Sequence, residues 1–155
     1  MELQKLNHWL TLLANLGVIA GIIFLAVELR QNNEMMRAQT RSQLANEVTE
    51  LFTANMNDQA YAEILLKGNK GEELSEIEQY QYFRHRNAWL WYWNNVVYQF
   101  QIGLYDEQEF ALQISVIRGD IDTRPGLKTH WCASRSRASP ALVQAIEAES
   151  FGVYC

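Results

Sequence analysis

The chain has 155 residues and a formal net charge of −5, with 20% charged and 12% aromatic residues. That length allows one compact domain beside a membrane helix, and five tryptophans argue for an ordered core rather than a disordered chain. The acidic balance excludes the concentrated basic surface of a nucleic-acid binder.

The first element is an uncharged run from Leu6 to Val27, almost wholly apolar from Leu10 onward. As a helix, Leu10–Val27 is about 27 Å long, close to the hydrocarbon thickness of a bilayer. The division read from the sequence is residues 1–9 as a flank, 10–29 as a transmembrane helix and 30–155 as a helical soluble domain. A cleaved signal peptide would need a basic start and a small-x-small site. Met1-Glu2-Leu3-Gln4-Lys5 carries one acid and one base, and Val27-Glu28-Leu29-Arg30 offers no such site. A buried core helix is the other competitor, since 18 residues is near the lower limit for spanning.

Within the run, Ala14, Gly17 and Gly21 fall on one helical face. Gly17-x-x-x-Gly21 is the small-residue spacing that lets two membrane helices approach closely. Asn15 adds a polar amide that in lipid would seek a partner across an interface. Trp9 marks one membrane boundary, with Glu28 and Arg30 at the other. Lys5 on one side against Arg30, Arg37 and Arg41 on the other predicts a cytoplasmic C-terminal domain.

From Leu29 to Met56 there is neither proline nor glycine, and Met36, Leu44, Val48, Leu51 and Phe52 recur at helical spacing. The helix is expected to leave the membrane and continue. Asn57-Asp58 reads as a break and cap before a short helix, Ala60–Lys67, stopped by Gly68-Asn69-Lys70-Gly71. Ser75-Glu76-Ile77-Glu78 is a capping box opening a helix to about Ile102, ended by Gly103. Its centre, Trp89-Leu90-Trp91-Tyr92-Trp93, is apolar nearly all round. Trp89, Trp91 and Trp93 are therefore candidates for core or for a protein interface. Asp106-Glu107-Gln108-Glu109 caps a helix to Arg118, with Gly119 as its stop. Pro125 and Pro140 each open a further short helix, the last being Ala141–Glu149. No strand-like alternation appears. The predicted fold is all-α: a transmembrane helix continuing into a long juxtamembrane helix, then a small helical bundle.

Leu16-Gly17-x-x-x-Gly21 running into Glu28-Leu29-Arg30-Gln31-Asn32 resembles a family of small bacterial single-span membrane proteins of uncharacterised function. The resemblance continues through Gly103-Leu104-Tyr105-Asp106-Glu107, Pro125-Gly126, Trp131 and Ser139-Pro140, in the same order. It implies one N-terminal membrane helix and a cytoplasmic or periplasmic helical domain, and supplies no catalytic residues.

No chemistry emerges from spacing alone. His8, His85 and His130 form no HExxH pair, and His85, between Arg84 and Arg86, reads as a surface or interface histidine. Glu72, Glu73, Glu76 and Glu78 read as complements to a helix dipole. Ser134, Ser136 and Ser139 lack a GxSxG elbow, and the Arg-Ser alternation around them reads as an exposed loop. Cys132 and Cys155 lack CxxC spacing; they read as free or buried thiols, and a single disulfide would require a domain outside the cytoplasm. The chain is therefore not read as an enzyme, and no catalytic residue, cofactor or metal is assigned. The expected function is a structural or interaction protein of the bacterial inner membrane. Its partners would be the lipid bilayer and itself, or a larger membrane complex as an accessory subunit. One alternative is a pore or sensor formed by a ring of spans lined by Thr11 and Asn15. Another is a membrane-tethered enzyme without a recognisable motif.

Overall fold

The computed structural model describes residues 2–53, 57–148 and 155. Among them are six α-helices, one 3₁₀ turn and no strand. Helix α1 spans Glu2–Thr53, α2 Gln59–Lys70, α3 Glu76–Gln101, α4 Glu107–Thr123, α5 Pro125–Ser134 and α6 Pro140–Glu147. The expected all-α architecture is therefore what is found. Two compact units result, Met1–Gln39 and Thr40–Cys155.

The first unit is helix throughout its described length and is exposed on every side. It contains a stretch long and apolar enough to cross a membrane, of which no part is buried. Leu10, Leu16, Ile22 and Phe24 are each more than half exposed. Thr11 satisfies its hydroxyl locally by donating to the Asn7 carbonyl at 2.9 Å. Arg30 pairs with Glu34 one turn on, at 3.0 Å.

The second unit carries the core. The last turns of α1 bury Leu44 against Tyr92 and Val96 of α3, with Val48 and Leu51 packed beside them. A larger cluster joins Leu90 and Val97 of α3, Ile114, Ile117 and Ile121 of α4, Trp131 of α5, and Leu142 and Ile146 of α6. Leu142 and Ile146 are almost completely excluded from solvent.

The helix starts follow local chemistry. Asp58 caps α2 by accepting from the Tyr61 amide at 3.0 Å. Ser75 and Glu78 form the full capping box of α3. Asp106 accepts from both Gln108 and Glu109 at the start of α4, and Ser139 accepts from Leu142 at the start of α6. Gly71 (φ 73°) and Gly103 (φ 76°) occupy the left-handed region that ends helices cheaply.

Two expected helix ends are corrected. The stop expected from Gly68 to Gly71 comes only at Gly71, which caps α2 after Lys70; Gly68 lies inside the helix and admits the Tyr82 ring against its backbone. A Cβ at Gly68 would collide with Tyr82, and one at Gly126 would collide with the Gly68 carbonyl oxygen. These two glycines let α2, α3 and α5 approach closely. Gly119 likewise lies inside α4, which continues to Thr123. The expected end of the last helix, Glu149, lies outside the described residues.

Candidate functional site

The second unit encloses a cavity of about 460 Å³, within the roughly 300–1,000 Å³ range of small-molecule pockets. It forms because the inner side of α3 is stepped by bulky and polar residues in turn. His85, Arg86, Trp89, Leu90 and Trp93 all line it. Helices α4 and α5 close the other side with Ile117, Asp120, Leu127, His130 and Trp131, while Val48, Leu51 and Phe52 come from the end of α1.

One end of this space is apolar and aromatic. Trp89 stacks on Trp93 with centroids 5.8 Å apart, and Phe52 meets Trp89 edge-on at 5.1 Å. Phe52 and Val116 line the cavity while remaining 63% and 52% exposed, so its apolar end reaches the surface.

The other end is polar and cationic. Arg86 Nη2 donates to Asn69 Oδ1 at 2.5 Å, and the Tyr82 hydroxyl donates to the same oxygen at 3.2 Å. The guanidinium lies over the Tyr82 ring, 5.2 Å from its centroid. Arg86 Nε is buried and has no hydrogen-bond partner among the described residues. Burial pulls the Arg86 pKa down, Tyr82 pushes it back, and Asp120 contributes least. An arginine keeps its charge even so. Asp120 is engaged by Arg124 at 3.1 Å.

Both histidines here are held neutral. Burial pulls His85 down to about 4, helped by the neighbouring Arg86. Burial also pulls His130 to about 4, with Arg86 and Arg137 adding to it. His85 Nε2 accepts from Trp89 Nε1 at 3.1 Å, which leaves the His85 proton on Nδ1. His130 Nε2 meets Ser134 Oγ at 3.2 Å, and Arg137 donates to that oxygen at 2.7 Å.

The structure moves several residues from where sequence reasoning put them. His85 turns inward and lines the cavity instead of standing on the surface. Ser134 is completely buried, although Arg135–Arg137 beside it are exposed. Cys132 and Cys155 are joined in a disulfide rather than free. Of the three aromatic candidates, Trp89 and Trp93 face the cavity and Trp91 is 69% exposed. Ala14, Asn15, Gly17 and Gly21 are exposed, with open space where a Cβ on either glycine would stand. Trp9, Glu28 and Arg30 are also exposed. Sequence reasoning missed Arg86 and Asn69, which line the polar end of the cavity. The one available signal was an Arg one turn before a tryptophan cluster on an otherwise apolar helix. Among the described residues no group of His, Cys, Asp or Glu could hold a metal. No protein family, curated protein or solved structure matches the chain.

Proposed function

We propose that the protein is a single-span membrane protein of structural or interaction type that holds a helical domain at the bilayer and assembles through its span. The observation that carries this is the exposure of the whole apolar stretch of α1. An eighteen-residue stretch, Leu10–Val27, apolar but for Thr11 and Asn15 and exposed to water all round, would far exceed the patches that soluble monomers expose. A bilayer removes that cost, and the helix satisfies its own backbone groups there. The open Ala14/Gly17/Gly21 face offers close approach to a second copy or to a subunit of a larger complex. The resemblance to small bacterial single-span proteins agrees with one N-terminal membrane helix carrying a helical domain, and the inner membrane and an accessory role are part of the proposal.

Two observations bear differently on orientation. Arg30, Arg37 and Arg41 against Lys5 favour a cytoplasmic C-terminal domain. The Cys132–Cys155 bond favours a second reading, with that domain in an oxidising compartment. Alkylation of cells with a membrane-impermeant thiol reagent, before and after reduction, separates the two. Labelling of intact cells only after reduction places the domain outside.

The assembly reading is tested by size in mild detergent. Gly17→Leu with Gly21→Leu is expected to keep membrane insertion and reduce the assembly toward monomers. An unchanged size for the double variant, or a wild type that is monomeric at high concentration and purifies alone, refutes it.

A further inference from the structure

The cavity poses a physical problem that the anchoring reading leaves untouched. Arg86 is partly buried, its Nε is shut off from water with no acceptor among the described residues, and Asp120, a carboxylate lining the same cavity, is held by Arg124. A buried charge is costly unless its donors are met and something compensates it. With both histidines neutral, Arg86, Arg124 and Asp120 leave the polar end with one net positive charge. The opposite end is lined by Phe52, Trp89 and Trp93 and opens to the surface.

We propose that this cavity binds a single-chain anionic amphiphile, with its head group on Arg86 and its chain along Phe52, Trp89 and Trp93. A carboxylate or monophosphate head supplies the acceptor that Arg86 Nε lacks, and charge-assisted bonds of this kind are strong. Asn69 accepts from Arg86 Nη2 and from the Tyr82 hydroxyl, and the Tyr82 ring lies under the guanidinium, so the arginine is oriented before the ligand arrives. The aromatic walls accept a flexible chain without demanding a particular length, and the volume suits one chain rather than two. Free fatty acids and single-chain phospholipids share this chemistry. The inference does not depend on self-assembly through Gly17 and Gly21.

The test uses the full chain in nanodiscs of phosphatidylcholine and a fatty acid carrying a diazirine in its chain. After illumination, labelled peptides are located by mass. Expected is labelling of the peptides bearing Phe52 and Trp89–Trp93, displaced by excess hexadecanoate or hexadecyl phosphate and not by hexadecanol. Whichever anion displaces it at the lower concentration identifies the head group. Arg86→Gln is expected to reduce this labelling at least about tenfold. Labelling of the Leu10–Val27 segment, which reports partition into the bilayer, stays constant. Labelling confined to that segment overturns the proposal, as does equal displacement by hexadecanol. So does undiminished cavity labelling in an Arg86→Gln variant of native helicity. If Arg86→Gln fails to fold, the hexadecanol comparison on the wild type decides alone.

Discussion

The contact of α2 with α5 through two glycines allows a sharp stability prediction. Gly126→Ala places a methyl group on the Gly68 carbonyl oxygen, a backbone atom that no rotamer change can move. The helices must separate. Separation withdraws the Tyr82 ring from Gly68 and pulls Asn69 from Arg86. Overpacking of this sort costs about 1–3 kcal/mol, and the loss of a hydrogen bond to a charged group adds about 1.5–3. Alanine's better helix propensity returns at most about 1 kcal/mol, less at the second position of a helix. The expected net loss is therefore about 2–4 kcal/mol. For a unit of this size that lowers Tm by roughly 8–16 °C. Gly119→Ala is the matched control, since it lies inside α4 with open space around its Cβ. It is expected to gain up to about 1 kcal/mol. Thermal unfolding followed by far-ultraviolet circular dichroism, full chain in the same detergent, reads both. Equal melting temperatures for Gly126→Ala and wild type would refute the close crossing and the account of Arg86 built on it.

Acid is expected to weaken the fold as the two partly buried histidines take up protons. His85 and His130 take protons near 6.5 when unfolded but only near 4 when folded, because burial disfavours their charge. Their contribution is complete above pH 6.5 and falls as pH drops toward 4. Between pH 6.5 and 5.5 the loss is at most about 1 kcal/mol per histidine, lessened by solvent screening because each ring is only partly buried, and denaturant titrations with no difference between those pH values would refute it. Leu142→Ala is expected to cost about 2–5 kcal/mol, as for a fully buried leucine. Trp91→Ala, on an exposed position, should stay within about 0.5 kcal/mol; a large loss there would mean that Trp91 is covered in the assembled protein. Cys155→Ser opens a cross-link spanning a sequence separation of 23, and chemical denaturation should find about 3 kcal/mol less stability. Equal stability with and without reductant in the wild type would count against the bond.

Much of this fold is written in local signals. The apolar run, the capping boxes at Ser75 and Asp106, the prolines at Pro125 and Pro140, and the absence of strand alternation each act within a few residues. Their energies do not depend on distant parts of the chain, so a linear reading captures them. The same reading began the stop of α2 at Gly68, where the cap comes only at Gly71, and placed one at Gly119 that α4 passes. A glycine inside a helix costs only about 1 kcal/mol, a cost that is offset further where something outside the helix favours the lack of a side chain. At Gly68 something does: the Tyr82 ring occupies the space a side chain would take.

What tertiary structure alone decided is which polar groups lose water. Arg86 and His85 lie between neighbours that look solvent-facing in the sequence, and Ser134 sits in an Arg-Ser run. Their burial comes from α2, α4 and α5 closing over one side of α3, and from Asn69 arriving from an element 17 residues away. The Cys132–Cys155 pairing is equally non-local. By itself, the sequence determined an all-helical chain with an apolar segment long enough to cross a bilayer, since length and hydropathy are additive along the chain. A cavity with a cationic end is a property of the distances between helices, and only the packed structure contains those distances.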